Sequence, residues 1–435
     1  MNFLNKIKNS VTLKIIGILV IVLLLLIPID SVKSVINERS ALQSQVQNEI
    51  SDKWGYAQVI QGPILSVPYR ALINQGTKDE EYEKRVLHIL PEFLDISTDL
   101  NALKRSRGIY NSIVYESDVY LSGEFQITDE IFTVDSSDIL WEESIITVGL
   151  SDLRGIKNQV EILIDGQKYP IQPGLSFGPD FGSGFHFKVG RSLQNFKLDL
   201  KINGSDSLKF IPLGKTTQVV AKGNWPHPGF NGNFLPGNRE VKNDGFTAEW
   251  KVHDINRNYS QIWNGYTPKT YGSAFGFQLV DGVDSYHKST RALKYAFMIL
   301  SLIFTVFFFF ELLKKLRIHP AQYTIVGISI VVFYTLLIAL SEHMLFGIAY
   351  IISALGIIAI NTFYFKAIVK SWAQTSIFTV VLFAALGFIY ILLNLEQYSL
   401  LVGSIGLFLI TGTVMFLTRN VNWYRFNREE LAETE

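Results

Sequence analysis

Apolar residues dominate five stretches in the last third of the chain, 292–313, 321–341, 344–364, 373–394 and 399–417, with short polar breaks between them. Each has about the ~20 residues that a helix needs to cross ~30 Å of hydrocarbon. Backbone in lipid must satisfy its own hydrogen bonds, so runs this long and apolar predict membrane-spanning helices. A further apolar run, 15–29, follows Lys6, Lys8 and Lys14 near the N-terminus. No small-x-small cleavage pattern comes after it, which favours an uncleaved anchor over a cleaved signal peptide. From 34 to 50, Val35, Leu42, Val46 and Ile50 recur at helical spacing. That stretch reads as a stalk helix continuing the anchor, or as a solvated linker.

Beyond Gln61-Gly62-Pro63 the period changes to two. Apolar and polar residues alternate over 119–127, over 193–202 with Phe196, Leu198, Leu200 and Ile202 on one face, and again at Phe246, Ala248, Trp250 and Val252. Such alternation predicts half-buried antiparallel strands. Asp165-Gly166 between two short strand-like runs predicts a hairpin turn. The stretch 94–103 fits helix and strand equally. The predicted fold is a membrane protein with six transmembrane α-helices, one plus five. A large, mainly-β, sandwich-like extracytoplasmic domain is inserted between the first helix and the second. The corresponding segments are an N-terminus and anchor (1–30), a stalk (31–50), the β domain (51–290), the five-helix bundle (291–418) and a tail (419–435).

Charge adds the orientation. Lys314, Lys315 and Arg317 occupy the break after the first bundle segment, Lys366 and Lys370 the break before the fourth, and Arg419, Arg425 and Arg428 the tail. The breaks at Glu342-His343 and at 395–398 carry no Lys or Arg. Basic residues stay cytoplasmic, so both termini are expected in the cytoplasm and residues about 31–290 in the periplasm. The β section then has both its ends at one membrane surface.

Over 435 residues the formal net charge is zero, which gives no electrostatic reason for a nucleic-acid partner. There is no cysteine, so disulfides, thiolate catalysis and Cys-ligated metals are excluded.

Three prolines and three glycines between 226 and 237 shape a loop carrying Trp225, His227, Phe230, Phe234 and Arg239. These residue types suit recognition of a glycan, peptide or headgroup, but a rigid crossover whose aromatics pack on the sandwich is the favoured reading, with catalysis a third. The glycine-rich stretch Gly174, Gly178, Gly182 and Gly184 stands beside Phe177, Phe181 and Phe185 and reads as a turn between strands. No Gly-x-Ser-x-Gly elbow, His-Glu-x-x-His helix or Walker-type phosphate loop occurs. His88, His186, His227, His253 and His287 are too dispersed to suggest ligand spacing, so no metal and no cofactor are expected. Within the apolar block, Glu311 is expected to pair at the inner edge beside Lys314 and Lys315. Asn361 and Asn394 are expected near helix ends. Glu342 and His343 form the candidate polar pair at the outer membrane interface, where an anchoring role competes with a functional one. Trp372, Trp423 and Tyr424 fit an interfacial belt.

Several stretches together resemble the CreD family of cell-envelope integrity proteins. They are 23–29 followed by Asn37-Glu38-Arg39, Gly62-Pro63-Ile64, Arg107-Gly108-Ile109-Tyr110, Asp152-Leu153-Arg154-Gly155-Ile156 and 224–241. The series continues with Arg291-Ala292-Leu293-Lys294-Tyr295, with 317–323, with Ala339-Leu340-Ser341-Glu342-His343 and with 418–424. The resemblance implies a bacterial inner-membrane protein linked to envelope maintenance, in some bacteria induced by a two-component pair. It carries over no catalytic residue. The functional expectation is a non-enzymatic protein whose periplasmic β domain binds an envelope protein, lipid or glycan, with the lipid bilayer as its constant partner. A transporter or lipid-handling bundle is the alternative, and an enzyme acting on lipid or cell-wall precursors a third reading.

Overall fold

The structure is a computed structural model that describes residues 11–73, 81–127, 131–132, 134, 138–175, 182–191, 194–265, 268–281, 285–314, 318–395 and 398–419. Lys6, Lys8, Lys315, Arg317, Arg425, Arg428, Gly178, Phe177, Phe181, Leu193, Trp423 and Tyr424 lie outside the described residues. Two compact units emerge, one of residues 1–42 with 283–435 and one of residues 43–282.

The first helix, α1 (Val11–Trp54), is continuous over 44 residues and holds Pro28 within it. At ~1.5 Å per residue it is roughly 66 Å long, well beyond the hydrocarbon thickness. The remaining helices are α2 (Ser285–Lys294), α3 (Ala296–Lys314), α4 (Pro320–Ser341), α5 (Phe346–Val369), α6 (Trp372–Asn394) and α7 (Ser399–Thr418). Among the described residues, five helices are long and apolar enough to cross a membrane, and six spans result when α2 and α3, bent by 42° at their junction, count as one. The bend separates an amphipathic segment, with Tyr286, Ser289, Ala292 and Leu293 buried and Lys288 and Arg291 on it, from an apolar one. The helical stretch expected from 292 therefore begins at Ser285 and is broken at Tyr295. At the start of α4, Pro320 takes the first-turn position that needs no N–H donor, and the His319 side chain accepts from the Ala321 N–H at 3.2 Å.

In chain order the strands are β1 (Gln58–Ile73), β2 (Glu81–Ile89), β3 (Phe93–Arg107), β4 (Tyr110–Glu124), β5 (Ile145–Leu150) and β6 (Glu161–Ile164). They continue as β7 (Gln167–Pro170), β8 (Gln172–Pro173), β9 (Gly184–Lys188), β10 (Asn195–Ser205), β11 (Ser207–Phe210) and β12 (Thr216–Gly223). Then come β13 (Pro228–Gly232), β14 (Asn238–Lys242), β15 (Gly245–His253), β16 (Ile262–Asn264) and β17 (Phe275–Leu279). A nine-stranded sheet has the order β13-β17-β11-β1-β5-β9-β8, with β2 also on β1 and β16 on β2. An eight-stranded sheet has the order β14-β15-β12-β3-β4-β10-β6-β7.

Inward residues of both sheets share one apolar core. The ambiguous stretch is strand β3, where Leu94, Ile96, Thr98 and Leu100 are buried and their neighbours exposed. β10 and β15 alternate in the same way. Asp165 and Gly166 take φ of 47° and 85° and turn β6 into β7, as the hairpin reading requires. Two pairings depart from the antiparallel expectation, since β1 runs parallel to β11 and β12 parallel to β3.

Candidate functional site

The 224–240 loop starts in the core. Trp225 is 9% exposed, its Nε1 donates to the Val280 carbonyl at 3.0 Å, and the Lys104 ammonium lies 5.6 Å from its ring centre. A buried indole needs such a partner for its N–H. The loop then forms β13, which pairs with β17 at the edge of the nine-stranded sheet. After Pro236 it forms β14, which pairs with β15 at the edge of the eight-stranded sheet. The segment thus carries the chain from one sheet to the other.

Its aromatics serve that crossing. Phe230 meets Phe246 and Trp250 edge-on at 5.9 and 5.8 Å, and Phe234 meets Phe275 at 5.7 Å. The Phe234 carbonyl accepts from Trp250 Nε1 at 3.3 Å. Arg239 is exposed with its guanidinium 5.9 Å from the Phe230 ring centre. His227 is exposed, and its carbonyl accepts from the Val280 N–H at 3.2 Å. Leu235, next to Pro236, is 68% exposed. So the five candidate residues divide: three aromatics are held between the sheets, while His227 and Arg239 stand at the surface.

Glu342 and His343 divide in a similar way. Glu342 ends α4 and receives the Tyr286 hydroxyl at 3.0 Å, with Arg39 Nε of α1 at 3.7 Å. Only 12% of its side chain is exposed, whereas His343 is at the surface. The carboxylate therefore ties α1 and α2 to α4. Sequence reading found neither Arg39 nor Tyr286 as its partners. The available signal was Arg39's place in the Asn37-Glu38-Arg39 run at the end of the apolar part of the helix.

Glu311 forms a second such node. It is 7% exposed and accepts from Lys14 Nζ at 3.3 Å, from the Tyr323 hydroxyl at 3.0 Å and from the Ile318 N–H at 3.2 Å. A carboxylate lacking water must find donors within the bundle, as these are; the side chains of Lys314 and Lys315, its expected partners, lie outside the described residues. Asn361, expected near a helix end, is 2% exposed and donates to the mid-helix Ser329 at 2.8 Å, joining α5 to α4.

The histidines of the β unit serve separate neighbours. His88 Nδ1 bonds Ser66 Oγ at 2.9 Å and its ring stacks on Trp263 at 5.2 Å, while burial pushes its pKa down to about 4. His186 bonds the Gly174 carbonyl at 2.8 Å. Among the described residues no three His, Cys, Asp or Glu side chains are placed to hold a metal ion.

Another grouping lies at the far end of the crossover. Asn233 and Phe234 line a cavity of about 490 Å³ together with residues 256–259, 268–269 and 272–273 of the same unit. Nothing in the sequence spacing of Arg257 and Lys269 marked them as neighbours of the loop.

A sequence model of the family described as inner membrane protein CreD matches residues 10–424. The Escherichia coli (strain K12) protein named inner membrane protein CreD is 33% identical over 424 residues, covering 95% of this chain and 94% of that protein. Among solved structures, yeast LTA4 hydrolase in complex with bestatin aligns over 36% of this chain and 26% of its own, with 14% identity and a TM-score of 0.18, too low to bear on fold or function.

Proposed function

The chain belongs to the CreD family of inner membrane proteins, and from that premise we propose that it supports cell-envelope integrity by binding rather than by catalysis. In this reading the β unit lies in the periplasm, both termini are cytoplasmic, and the bound partner is an envelope protein, lipid or glycan. The confinement of Lys and Arg to alternate breaks supports the orientation.

The observation that carries the binding role is the division of labour in the 224–240 loop. Trp225, Phe230 and Phe234 fix its backbone between two sheets, leaving His227, Leu235 and Arg239 exposed on a rigid frame. A preorganised surface of this kind loses little conformational entropy when a partner docks. The helices favour anchoring over conduction. Phe307, Phe365 and Phe378 stack together in their interior, with ring centres 4.4 to 5.2 Å apart. Glu342, of the candidate polar pair, is already held by Tyr286 and Arg39.

The test uses the exposed residues alone, because replacing Trp225 would damage the core. A strain carrying His227→Ala, Leu235→Ser and Arg239→Ala together should lose envelope-stress survival to the level of a strain lacking the protein, with protein abundance and thermal midpoint unchanged. Full survival in that strain would remove the loop from the binding role.

A further inference from the structure

The cavity at the end of the crossover has an unusual charge balance. Arg257 and Lys269 line it with Asn233, Asn256, Asn258 and Tyr259, and neither Asp nor Glu is among its lining residues. Lys269 is exposed, whereas Arg257 is half-buried with its guanidinium 4.3 Å from the Tyr259 ring centre.

Arg257 spends its donors on neutral groups. One η nitrogen donates to the Tyr259 carbonyl at 3.0 Å, and the other to the Leu213 carbonyl at 3.2 Å and to Gln261 Oε1. Among the described residues its buried Nε has no partner. A guanidinium has five N–H donors, so two are left unspent. Among the described residues Arg257 forms no ion pair. The Asp254 carboxylate acts on the guanidinium only through space, and burial holds the arginine's pKa below the ordinary guanidinium value. An arginine stays protonated even so, and a half-buried cation without a counter-ion is costly. A second cation on the same cavity wall increases the need for an anion.

We propose that this cavity binds a phosphate group, with Arg257 and Lys269 supplying the charge and the asparagine amides orienting its oxygens. Arginine forks and lysine ammonium groups are the usual protein donors to phosphate oxygens. The phosphate belongs either to an anionic lipid headgroup or to a small soluble phosphate. Exposed apolar side chains adjoin the lining in sequence, with Leu235, Ile255 and Tyr271 68%, 87% and 54% exposed beside Phe234, Asn256 and Gly272. That favours the lipid source. The proposal rests on the binding role assigned to the β unit and specifies its ligand class.

Titration calorimetry on the full chain in a non-ionic detergent tests it, with short-chain phosphatidylglycerol, inorganic phosphate and neutral chitotetraose as probes. Phosphatidylglycerol should bind, more weakly as salt rises, and Lys269→Glu should weaken binding by roughly tenfold or more at an unchanged thermal midpoint. Arg257→Gln should abolish it. Because Arg257 also pins backbone, the exposed Lys269 variant keeps the test valid if Arg257→Gln misfolds. Competition by inorganic phosphate would assign the site to soluble phosphates, and its absence to lipid; either outcome supports the inference. Phosphate-bearing probes that fail to bind, or that bind both variants as the parent, would overturn it. Binding of chitotetraose alone would also overturn it while leaving the envelope-binding role intact.

Discussion

His88 shows how one residue couples burial to pH. It faces Ser66 on β1 and Trp263 on β16 in adjoining registers, and the residue is 8% exposed. Its pKa falls to about 4 in the folded protein, against 6.5 unperturbed. Between those two values the unfolded chain binds a proton that the folded chain refuses, so this contribution to stability is complete above pH 6.5 and is lost as pH falls towards 4. At ~1.36 kcal/mol per unit the loss reaches about 3 kcal/mol. Denaturant unfolding at pH 7.5, 5.5 and 4.5 should show His88→Gln losing less stability on acidification than the parent. Equal losses would mean that His88 does not control the window. Trp225 carries a related lesson. Its residue type suggested recognition, while its bond to Val280 places it in the core, and no local pattern separates those two uses of an indole.

At the scale of elements, α1 has three points of attachment within its own unit. Lys14 meets Glu311 and Arg39 meets Glu342, twenty-five residues or roughly 37 Å apart along the helix. Between them, α4 offers Gly327, where an added Cβ would come within 2.1 Å of Leu25 Cδ1 and 3.0 Å of Phe304 Cζ. Gly356 on α5 has open space instead. Gly327→Ala should therefore lower the thermal midpoint of the detergent-solubilised protein, overpacking costing about 1–3 kcal/mol. Gly356→Ala should hold or raise it, since alanine favours a helix by up to ~1 kcal/mol over glycine. A rise in both would show that α1 does not seat on Gly327. The apolar length of these helices was readable from composition, whereas this seat was not: a glycine in a membrane span looks the same in sequence whether a leucine or lipid lies beside it.

For the whole molecule, the decisive quantity is which side of the bilayer each break occupies. The absence of cysteine makes that measurable without a background of native thiols. In intact spheroplasts a membrane-impermeant maleimide should label Ile255→Cys and His343→Cys, and should reach Ala373→Cys only after permeabilisation. Labelling of Ala373→Cys in intact spheroplasts would reverse the proposed orientation. The β unit raises a separate matter at this scale. Its strands were legible one at a time through alternation, yet the parallel pairing of β12 with β3 was not. Alternation says which face of a strand is buried but nothing about which strand lies beside it or in which direction.

The sequence by itself determined the two solvents in which this chain folds. Membrane spans and half-buried strands are both written residue by residue, because each side chain's polarity must match the medium it meets. Only the tertiary structure decided which charges meet. Glu342 finds Arg39, Glu311 finds Lys14, and Arg257 shares a cavity wall with Lys269 and the loop's Asn233. Glu342 and Arg39 stand three hundred residues apart, joined by a fold rather than by a spacing. Partners chosen at that distance leave no periodic mark, since the requirement on each is only that some opposite charge or donor replace the water it has lost.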